Sequence, residues 1–464
     1  MEQKLVSLEI LETLQNLQNI KNHDWLFIEH QNQDKFYQIT TELYSQLVDR
    51  YQKTTPPKII LAEREPIKFL ASFLAACAAE CPVFLCNPDW GNHEWEQVLN
   101  LVQPDLIWGF DHNLQLPITN YQSPITNYPL PIHNTIMIPT GGSSGKIKFT
   151  IHTWETLTAS VQGFREYFQL NNINSFCILP LYHVSGLMQF IRSFSTGGKL
   201  VITSLKQLEL TSIPNLNYTD FCISLVPTQL QRILQNQELT TWLSNFKTVL
   251  LGGAPAWPEL LEKARFHQIK LAPTYGMTET ASQIATLKPT EFLQGKINSG
   301  KILPHAQITI NPITKNINIK AKSLALGYYP QLWEKTEQFS VDDIGFLDKE
   351  GYLHIIGRSS NKIISGGENI YPEEIEAVIR QTNLVKDICV IGIADQNWGQ
   401  ALTAIYTPKN PNISHIEIIN QLKNQLTKFK IPKHWISLPN LPRNNQGKIN
   451  RQQLHQIAKQ LHNQ

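Results

Sequence analysis

The stretch 139–150, PTGGSSGKIKFT, combines residue types that bind phosphate. Glycines let a ligand approach the backbone, hydroxyls donate hydrogen bonds to phosphate oxygens, and lysines supply positive charge. The Walker A pattern needs four residues between its first glycine and its Gly-Lys pair, and then a Ser or Thr for Mg²⁺. Here Gly141 and Gly145 have three residues between them, and Ile147 follows Lys146. The stretch therefore indicates either a phosphate loop of another class or an ordinary flexible turn.

Two further stretches follow predicted strands and carry groups that suit a nucleotide. In PTYGMTET (273–280), Tyr275 offers a ring for a base, Thr278 a hydroxyl for phosphate and Glu279 a carboxylate for Mg²⁺. In LLGGAP (250–255), glycines end a strand where a flat ligand can lie against the backbone. The alternatives are a helix N-terminus capped by Thr278 and a plain strand-to-helix turn.

Charged residues in the last third of the chain give two more candidates. VDDIGFLDKEGYLHIIGR (341–358) contains Asp342, Asp343 and Asp348, any of which could accept hydrogen bonds from ribose hydroxyls. Turn-forming aspartate is the alternative for one or two of them. LPRNNQGKINR (441–451) holds Lys448 on a glycine turn, for which a solvated basic tail is the ordinary explanation.

Composition excludes several classes of function. The 464-residue chain is 42% hydrophobic and has a formal net charge of +2 with no long basic block, which argues against nucleic acid or an anionic membrane as the main partner. The N-terminal residues lack the apolar core of a secretory signal. The longest apolar run, 69–79, is too short to span a bilayer and predicts a buried helix. The six cysteines indicate buried, reduced thiols rather than a metal site, so we expect a cytoplasmic protein.

Short predicted strands alternate with predicted helices through most of the chain, and these elements must position the candidate residues. This alternation predicts an α/β fold with mostly parallel sheets and binding sites at the carboxyl ends of the strands. Shorter strands in 300–357 indicate a β-rich subdomain, and the pattern after about residue 358 predicts a small α+β domain with helices near Pro372 and at 415–428. The proline-rich stretch 111–134, which contains PITNY twice, predicts a surface loop. The predicted strands are 58–62, 82–86, 106–110, 135–139, 175–180, 199–203, 220–226, 247–253 and 270–276, and the early helices are 67–79 and 92–102.

The order and spacing of the motifs resemble those of the acyl-adenylate-forming ligases. The series reads TGGSSG…K, PLYHVSG, GGAP, YGMTET, DDIG…GR, GGENIYPEEIE and PRNNQGKINR, and the resemblance runs from about residue 58 to the end. It implies that ATP and a carboxylic acid give an acyl-adenylate and pyrophosphate, after which the thiol of coenzyme A expels AMP. Lysines and Mg²⁺ would stabilise the negative charge that accumulates at the α-phosphorus. It also implies a large N-terminal domain over 1–357, a hinge at 358–361 and a small mobile domain over 362–464.

The resemblance also implies roles for individual residues. Lys448 matches the adenylation lysine, Lys148 the lysine of the phosphate loop, and His183 a residue that borders the acyl site. Thr278 matches an α-phosphate contact and Glu279 a Mg²⁺ ligand. The remaining nucleotide-binding candidates are Thr140, Gly141, Gly142, Ser143, Ser144, Gly145, Gly252, Gly253, Ala254, Pro255, the adenine-site Tyr275, Gly276, the ribose-binding Asp343, and Arg358. Ser365, Gly366 and Gly367 resemble the loop that lines the thiol tunnel.

The chain departs from the family pattern at three positions. Gly141 and Ile147 replace the more usual Ser and Pro of the phosphate loop, which should change its mobility rather than abolish binding. Asn361 occupies the hinge position where Asp is common, and Asn is isosteric with Asp and tolerates unusual dihedral angles.

The helix after His183 bears on the choice of acid. Ser185, Gln189 and Arg192 share one face of it, because they lie at positions i, i+4 and i+7. A guanidinium on an otherwise apolar helix needs an anion, which is either a nearby Asp or Glu or a second carboxylate on the substrate.

Three stretches resemble o-succinylbenzoate–CoA ligases of menaquinone and phylloquinone biosynthesis most closely, namely PLYHVSGLMQFIRS, GMTETASQ and SGGENIYPEEIE. The substrate of those ligases is a dicarboxylate whose aliphatic carboxylate is activated, and Arg192 would hold the benzoate end. The alternatives are a CoA ligase for another aromatic or short-chain acid and a nucleotide-binding protein that has lost catalysis. All the partners that we expect are small molecules.

Overall fold

Four β-sheets and the helices packed on them make up this computed structural model. It describes residues 2–19, 24–28, 33–51, 55–109, 134–141, 147–210, 214, 216–334, 338–365, 368–395, 398–423, 425–444 and 447–462. The helices in these ranges are α1 (Glu2–Asn19), α2 (Gln33–Tyr51), α3 (Pro66–Ala78), α4 (Asn92–Val102), α5 (Trp154–Phe168), α6 (Val184–Thr196), α7 (Leu205–Leu210), α8 (Pro227–Ile233), α9 (Gln237–Ser244), α10 (Pro258–Phe266), α11 (Pro289–Leu293), α12 (Pro372–Gln381), α13 (His415–Leu422) and α14 (Arg451–His462).

The strands in the same ranges are numbered in chain order. They are β1 (Leu26–Ile28), β2 (Ile59–Leu61), β3 (Val83–Leu85), β4 (Leu106–Trp108), β5 (Ile136–Gly141), β6 (Ile147–His152), β7 (Asn174–Cys177), β8 (Leu200–Ile202), β9 (Phe221–Leu225), β10 (Thr248–Leu251), β11 (Leu271–Met277), β12 (Ser282–Thr286), β13 (Lys301–Ile302), β14 (Ala306–Ile310), β15 (Asn316–Ala321), β16 (Gly327–Tyr328), β17 (Gln331–Leu332), β18 (Phe339–Leu347), β19 (Leu353–Arg358), β20 (Ile363–Ser365), β21 (Glu368–Ile370), β22 (Val385–Asp395), β23 (Gly399–Pro408) and β24 (His434–Ser437).

The two largest sheets are parallel where their strands are joined by helices. The eight-stranded sheet has the order β1-β8-β7-β9-β10-β11-β12-β13, and it is parallel from β1 to β11. The seven-stranded sheet has the order β17-β16-β6-β5-β3-β2-β4, with parallel pairing among β2, β3, β4 and β5. Strands buried on both faces read as continuous apolar runs, which is why the sequence predicted them. The predicted α/β fold is confirmed.

Helix α3 accounts for most of the longest apolar run of the sequence, residues 69–79. Pro66 occupies its first turn, where the missing N–H costs nothing, and every residue from Phe69 to Ala78 is buried. Each large side chain buried there contributes about 1.5–3 kcal/mol. The prediction of a buried helix at 67–79 is confirmed, and no described helix is long and apolar enough to cross a membrane.

The β-rich part and the C-terminal part each have their own sheet. Strands β14-β15-β18-β19 form an antiparallel sheet, as the shorter strands in 300–357 predicted. The sheet β21-β20-β23-β22, extended by β24 on β23, carries two apolar clusters made only of residues beyond 362. The helix predicted at 415–428 ends at Leu422, and a short 3₁₀ turn at Lys428–Lys430 follows it. Residues 110–133, which include almost all of the predicted surface loop, lie outside the described ranges.

Candidate active site

Strand β11 ends in the turn that carries the YGMTET motif. A β-carbon on Gly276 would lie 2.1 Å from the carbonyl oxygen of Ser282, so only glycine fits where β11 meets β12. Thr278–Thr280 form a single 3₁₀ turn, and Ala281 and Ser282 then have φ of 50° and 89°. Two successive residues other than glycine in this left-handed region are strained, a condition that clusters at functional sites. The cap of the turn is Met277 rather than Thr278, which removes the alternative of a helix N-terminus capped by Thr278.

Asp343 is held by two donors at the edge of this turn. The hydroxyl of Tyr275 donates to Oδ2 over 2.7 Å, and Nε of Arg358 donates to Oδ1 over 3.0 Å. Strands β18 and β19 place Asp343 directly opposite Arg358. Burial and the charge of Asp343 raise the pKa of Tyr275, so the phenol stays protonated. Each carboxylate oxygen retains a lone pair, which leaves Asp343 able to accept from a ligand hydroxyl.

The side chains of the other two aspartates of this segment accept hydrogen bonds from backbone N–H groups. Asp348 accepts from the N–H groups of Glu350 and Tyr352, as the turn-forming alternative predicted. Asp342 accepts from the N–H of Ser360. Among the three, the contacts to Tyr275 and Arg358 therefore single out Asp343 as the ribose candidate.

Tyr328 joins Glu279 to Lys148. Its hydroxyl donates to Oε1 of Glu279 over 2.6 Å, and Nζ of Lys148 lies 5.2 Å from the centre of its ring. The position follows from the sheet, because β16 pairs Tyr328 with Thr150 on β6. Sequence reasoning missed Tyr328, since the pairing of β16 with β6 spans almost two hundred residues and no local pattern marks it.

His152 holds the backbone of the turn from below. Its Nε2 lies 2.8 Å from the carbonyl oxygen of Thr278, and its Nδ1 lies 3.0 Å from Oγ1 of Thr156. Complete burial lowers the pKa of His152 to about 4, so the ring is neutral at pH 7. The carbonyl can only accept, so Nε2 carries the proton. Sequence reasoning missed this residue too, although it lies only four positions after Lys148.

Lys448 lies on a turn that forms hydrogen bonds and an ion pair within the C-terminal part of the chain. Its N–H donates to Oδ1 of Asn444 over 2.9 Å, and Gly447 before it has φ of 74°. Arg443 donates to the carbonyl oxygen of Gly447 over 2.6 Å and forms an ion pair with Asp387. Sequence reasoning did not identify Asp387, because the pairing joins positions 56 residues apart.

This turn lies beside helix α8, and we call the space bordered by Lys448, Asp343 and His183 the cleft. A β-carbon on Gly447 would lie 3.4 Å from Oγ1 of Thr228 on α8. Lys448 keeps some surface exposed to water, but the cleft walls and Arg358 lower its pKa, while Glu279 and Asp343 act in the opposite direction. The structure therefore brings Lys448 together with all three of these residues. The contact is supported nearby, where the guanidinium of Arg380 on α12 lies 5.3 Å from the ring centre of Trp257.

His183 faces the same space from the start of α6. Its Nε2 is buried and has no hydrogen-bond partner among the described residues. Burial, with the charge of Lys448 as the second cause, lowers the pKa of His183 to about 4. A neutral ring with an unsatisfied nitrogen beside the ammonium of Lys448 is the environment that a passing carboxylate or phosphate would meet.

Arg192 lies about two and a half turns after His183 along α6, and its side chain is buried. Its Nη2 donates to Oε1 of Gln283 over 2.7 Å and to Oγ of Ser282 over 3.2 Å. The guanidinium lies 4.5 Å from the ring centre of Phe164. Burial lowers the pKa of Arg192 to about 10, which leaves it charged at neutral pH. Within the described residues it forms no ion pair, so the alternative of a nearby Asp or Glu finds no support there.

Gln189 and Ser185 line the helix between His183 and Arg192. The amide of Gln189 donates to the carbonyl oxygen of Ser185 over 3.0 Å, and its Oε1 has no partner in the described part of the chain. Ser185 is half-buried. The helix therefore carries a row of polar groups from His183 to Arg192, as its sequence spacing predicted.

The remaining candidates divide into those at the cleft and those outside the described ranges. Gly252 approaches Thr274 so closely that a β-carbon would lie 2.6 Å from its Oγ1, and Gly253, Ala254 and Pro255 are exposed at the end of β10. Thr140 pairs with Lys148 across β5 and β6, and Gly141 pairs with Ile147. The candidates outside the described residues are Gly142, Ser143, Ser144, Gly145, Gly366 and Gly367.

The hinge and tunnel candidates lie at the start of the C-terminal part. Asn361 ends the 3₁₀ turn Ser359–Asn361, and its amide donates to Oε1 of Glu373 over 3.1 Å. Ser365 pairs with Glu368 and Gly399 and so belongs to the C-terminal sheet rather than to the cluster around Asp343. The roles inferred for Asn361 and Ser365 stay predictions.

Comparison with known proteins identifies the family of this site. The AMP-binding enzyme family model matches residues 55–328, and the model of the AMP-binding enzyme C-terminal domain matches residues 374–448. The chain belongs to the AMP-binding enzyme family. The enzyme class that the resemblance implied, an AMP-forming CoA ligase, is confirmed, whereas the roles of Asp343 and Lys448 stay predictions.

Several characterised AMP-binding enzymes are similar to this chain. It is 33% identical over 337 residues to the 2-succinylbenzoate–CoA ligase of Oceanobacillus iheyensis, with 68% of each chain covered. It is 36% identical over 324 residues to the ligase of that name from Listeria monocytogenes, again with 68% of each covered. Among solved structures, o-succinylbenzoate CoA synthetase from Bacillus subtilis in complex with the acyl-adenylate intermediate has a TM-score of 0.80 and 25% identity, covering 95% of this chain and 97% of the other.

His152 predicts a specific pH dependence of stability. The pKa is about 4 in the folded protein and 6.5 as its ordinary value, so the stabilisation is complete above pH 6.5 and is lost as the pH falls toward 4. For this histidine alone, going from pH 7 to pH 5 should cost about 2 kcal/mol of unfolding free energy. Urea titrations at both pH values should show a smaller loss in His152→Gln than in the unsubstituted protein. Exposed His93→Gln is the matched control, and the same loss in both variants would contradict the argument.

Proposed function

We infer that this chain is an ATP-dependent acid–thiol ligase that converts 2-succinylbenzoate to 2-succinylbenzoyl-CoA through an acyl-adenylate, an AMP-forming step of menaquinone or phylloquinone biosynthesis. The observation that carries the choice of acid is Arg192, a buried cation with no acidic partner among the described residues, seven residues beyond Ser185 on the helix that leads out of the cleft. The similar ligases from Oceanobacillus iheyensis and Listeria monocytogenes act on the same acid by name.

The nucleotide end of the cleft suits ATP. Asp343, fixed by Tyr275 and Arg358, accepts from the ribose hydroxyls, and the ring of Tyr275 covers the adenine. Thr278 presents its hydroxyl to the α-phosphate from a turn whose carbonyl is held by His152. The turn of half-buried Gly252 and exposed Gly253 lets the base lie against the backbone.

Magnesium enters with ATP, and Glu279 is the residue that suits it. A carboxylate oxygen is the ligand type that Mg²⁺ prefers, and the ion commonly takes one or two carboxylates together with substrate phosphates. No group of three metal-binding side chains converges in the described residues, which fits an ion held mainly by phosphates and water. Tyr328 donates to the Glu279 carboxylate and has Lys148 over its ring, so one side chain contacts both the candidate Mg²⁺ ligand and a candidate phosphate-binding cation. Bound there, the ion would neutralise phosphate charge.

The first half-reaction joins the acid to the α-phosphorus. An oxygen of the aliphatic carboxylate attacks phosphorus, the bond to the bridging oxygen breaks, and pyrophosphate leaves. Negative charge accumulates on the α-phosphate oxygens, and Lys448 stands among Arg358, Glu279 and Asp343, where its ammonium can stabilise that charge. Lys148 and the loop 140–148 would bind the departing pyrophosphate.

The second half-reaction uses the mixed anhydride as an electrophile. The thiolate sulfur of coenzyme A attacks the acyl carbon, the bond from that carbon to the phosphate oxygen breaks, and AMP leaves. We propose that the C-terminal domain over 362–464 turns about the hinge 358–361 between the two steps. Lys448 would then leave the cleft and Ser365, with Gly366 and Gly367, would line the path of the thiol. The close approach of Gly447 to Thr228 and the contact of Arg380 with Trp257 are among those that this rotation must break.

The acid end of the cleft discriminates between substrates by charge. A long-chain acid would place methylenes against a buried guanidinium, which is costly, whereas a benzoate carboxylate would pair with Arg192 as two parallel hydrogen bonds. The second candidate is a CoA ligase for another aromatic or short-chain acid. A panel of acids in a pyrophosphate-release assay, with and without coenzyme A, distinguishes it from a 2-succinylbenzoate–CoA ligase. A protein without catalysis is disfavoured by the joint placement of Glu279, Asp343 and Lys448.

We also propose that the enzyme acts in the cytoplasm. All six cysteines are free and buried, which suits a reducing compartment. ATP and coenzyme A are substrates of that compartment.

Replacing Arg192 tests the assignment of the acid. Arg192→Ala should raise KM for 2-succinylbenzoate about 30-fold or more, the effect of losing a buried charged partner, and leave KM for ATP within about twofold. Arg165→Ala, an exposed arginine on α5, is the matched control. Steady-state kinetics with each substrate varied measures both constants, and an equal rise in both would contradict the assignment.

Replacing Lys448 tests the adenylation step. Lys448→Ala should lower ATP–pyrophosphate exchange about 100-fold or more, because it removes the charge closest to the α-phosphate. The attack of coenzyme A on preformed acyl-adenylate should continue at nearly the original rate. Exposed Lys459→Ala on α14 is the control, and unchanged exchange in Lys448→Ala would refute the role.

Replacing Asp387 tests how the Lys448 turn is positioned. Asp387 pairs with Arg443, which holds the carbonyl of Gly447, and with Arg380 over 3.1 Å. Asp387→Asn removes the charge from both pairs, so we expect adenylation to fall about tenfold while the thiol step is spared. Asp387→Glu should recover most of the loss. A decrease of the same size in both half-reactions would show that Asp387 acts only in the stability of the domain.

A further inference from the structure

His305 is a buried histidine that the reaction described so far does not use. It lies between β13 and β14 and is only 9% exposed. Both ring nitrogens are sealed from water, and neither has a hydrogen-bond partner among the described residues. A buried imidazole can satisfy one donor and one acceptor, so this ring leaves both capacities unused.

A glycine on α5 makes room for this ring. A β-carbon on Gly163 would lie 1.8 Å from Nδ1 of His305 and 2.6 Å from its Cγ, so the imidazole lies directly against the helix backbone. The next residue, Phe164, supports the guanidinium of Arg192. Two adjacent residues of α5 therefore contact the His305 ring and the Arg192 guanidinium. Arg192 is close enough for its charge to lower the pKa of His305.

Other buried polar atoms, on Arg192, on its partner Gln283 and on Gln189 one turn earlier in α6, also lack partners in the described part of the chain. They are Nε of Arg192, Nε2 of Gln283 and Oε1 of Gln189. An unsatisfied buried polar group is costly, and native proteins keep few of them without a ligand or water to satisfy them. Several such atoms around one guanidinium indicate a place for a polar group of the substrate.

We propose that His305 is a second specificity-determining residue for the acid, which donates a ring N–H to the same substrate carboxylate that Arg192 binds. The proposal rests on the function inferred above, because it needs an acid with a second carboxylate at this end of the cleft. It adds a residue that the motif series does not contain, since LPHAQ (303–307) belongs to none of the motifs.

The charge state of His305 agrees with this role. Burial, and after it the charge of Arg192, lowers the pKa of His305 to about 4, so the ring is neutral at pH 7. One carboxylate then meets one guanidinium and one neutral donor, which leaves no net charge in the buried site. A second cation there would be uncompensated whenever the site is empty.

The test compares two acids that differ in one carboxylate. They are 2-succinylbenzoate and 4-oxo-4-phenylbutanoate, which lacks the carboxylate on the ring. His305→Leu should raise KM for 2-succinylbenzoate about tenfold or more, the effect of one lost hydrogen bond to a charged group. KM for the phenyl acid and for ATP should stay within about twofold, and His305→Gln, which keeps an N–H donor, should recover most of the loss.

A second pair of variants separates binding from folding. Gly163→Ala should displace the imidazole and reproduce the selective rise in KM seen for His305→Leu. Adding Gly163→Ala to His305→Ala should cause no further rise, because no ring remains to be displaced. Thermal unfolding of each variant identifies any general loss of structure.

The outcomes distinguish this proposal from the function on which it rests. If the unsubstituted enzyme uses 2-succinylbenzoate but His305→Leu changes both acids equally, or neither, the role of His305 is overturned and the function stands. If the unsubstituted enzyme does not form AMP from 2-succinylbenzoate and coenzyme A, the proposed function fails and the role of His305 fails with it. A selective rise that His305→Gln reverses supports the proposal.

Discussion

The Asp343 carboxylate accepts from Tyr275, which belongs to the eight-stranded sheet, and from Arg358, which ends the β-rich sheet just before the C-terminal part begins. Two sheets thus meet at one buried charge, and Lys448 of the C-terminal part stands near it. The charge has to be compensated, and Arg358 and Lys448 supply the compensation from the side of the C-terminal part. The orientation of that part, the state of Lys448 and the geometry of the nucleotide end all depend on this interaction.

The fold and the nucleotide end of the cleft were largely predictable from the sequence. Buried parallel strands are continuous apolar runs, so their presence needs no knowledge of neighbours. Tyr275, Thr278 and Glu279 stand at or just beyond the end of β11, where the topology of an α/β sheet places binding residues, whereas Asp343 lies in the middle of β18 in the antiparallel sheet. Residue types alone left three aspartates open; the family resemblance pointed to Asp343, and its hydrogen bonds to Tyr275 and Arg358 agree with that choice.

Residues that act by packing were not predictable in this way. Tyr328 reaches Glu279 because two edge strands pair across the sheet, and Asp387 reaches the Lys448 turn through an arginine from the far end of its domain. The ring of His305 fits between β13 and β14 because a glycine on α5 makes room for it. Each of these contacts joins distant positions of the chain, so no local spacing indicates it.

The strained turn at Ala281 and Ser282 has a consequence for rate. Thr278, the proposed α-phosphate contact, lies at one end of it, while Ser282 and Gln283 contact the guanidinium of Arg192 at the other. In the function proposed above, these six residues would set the distance between two substrates that would otherwise have to meet by diffusion. Well-oriented reactants behave as if present at effective concentrations of about 10⁵–10⁸ M. The backbone strain at this turn would thus be a cost in the folded protein, and it would be offset because the carboxylate and the phosphate lose less entropy when they reach the transition state.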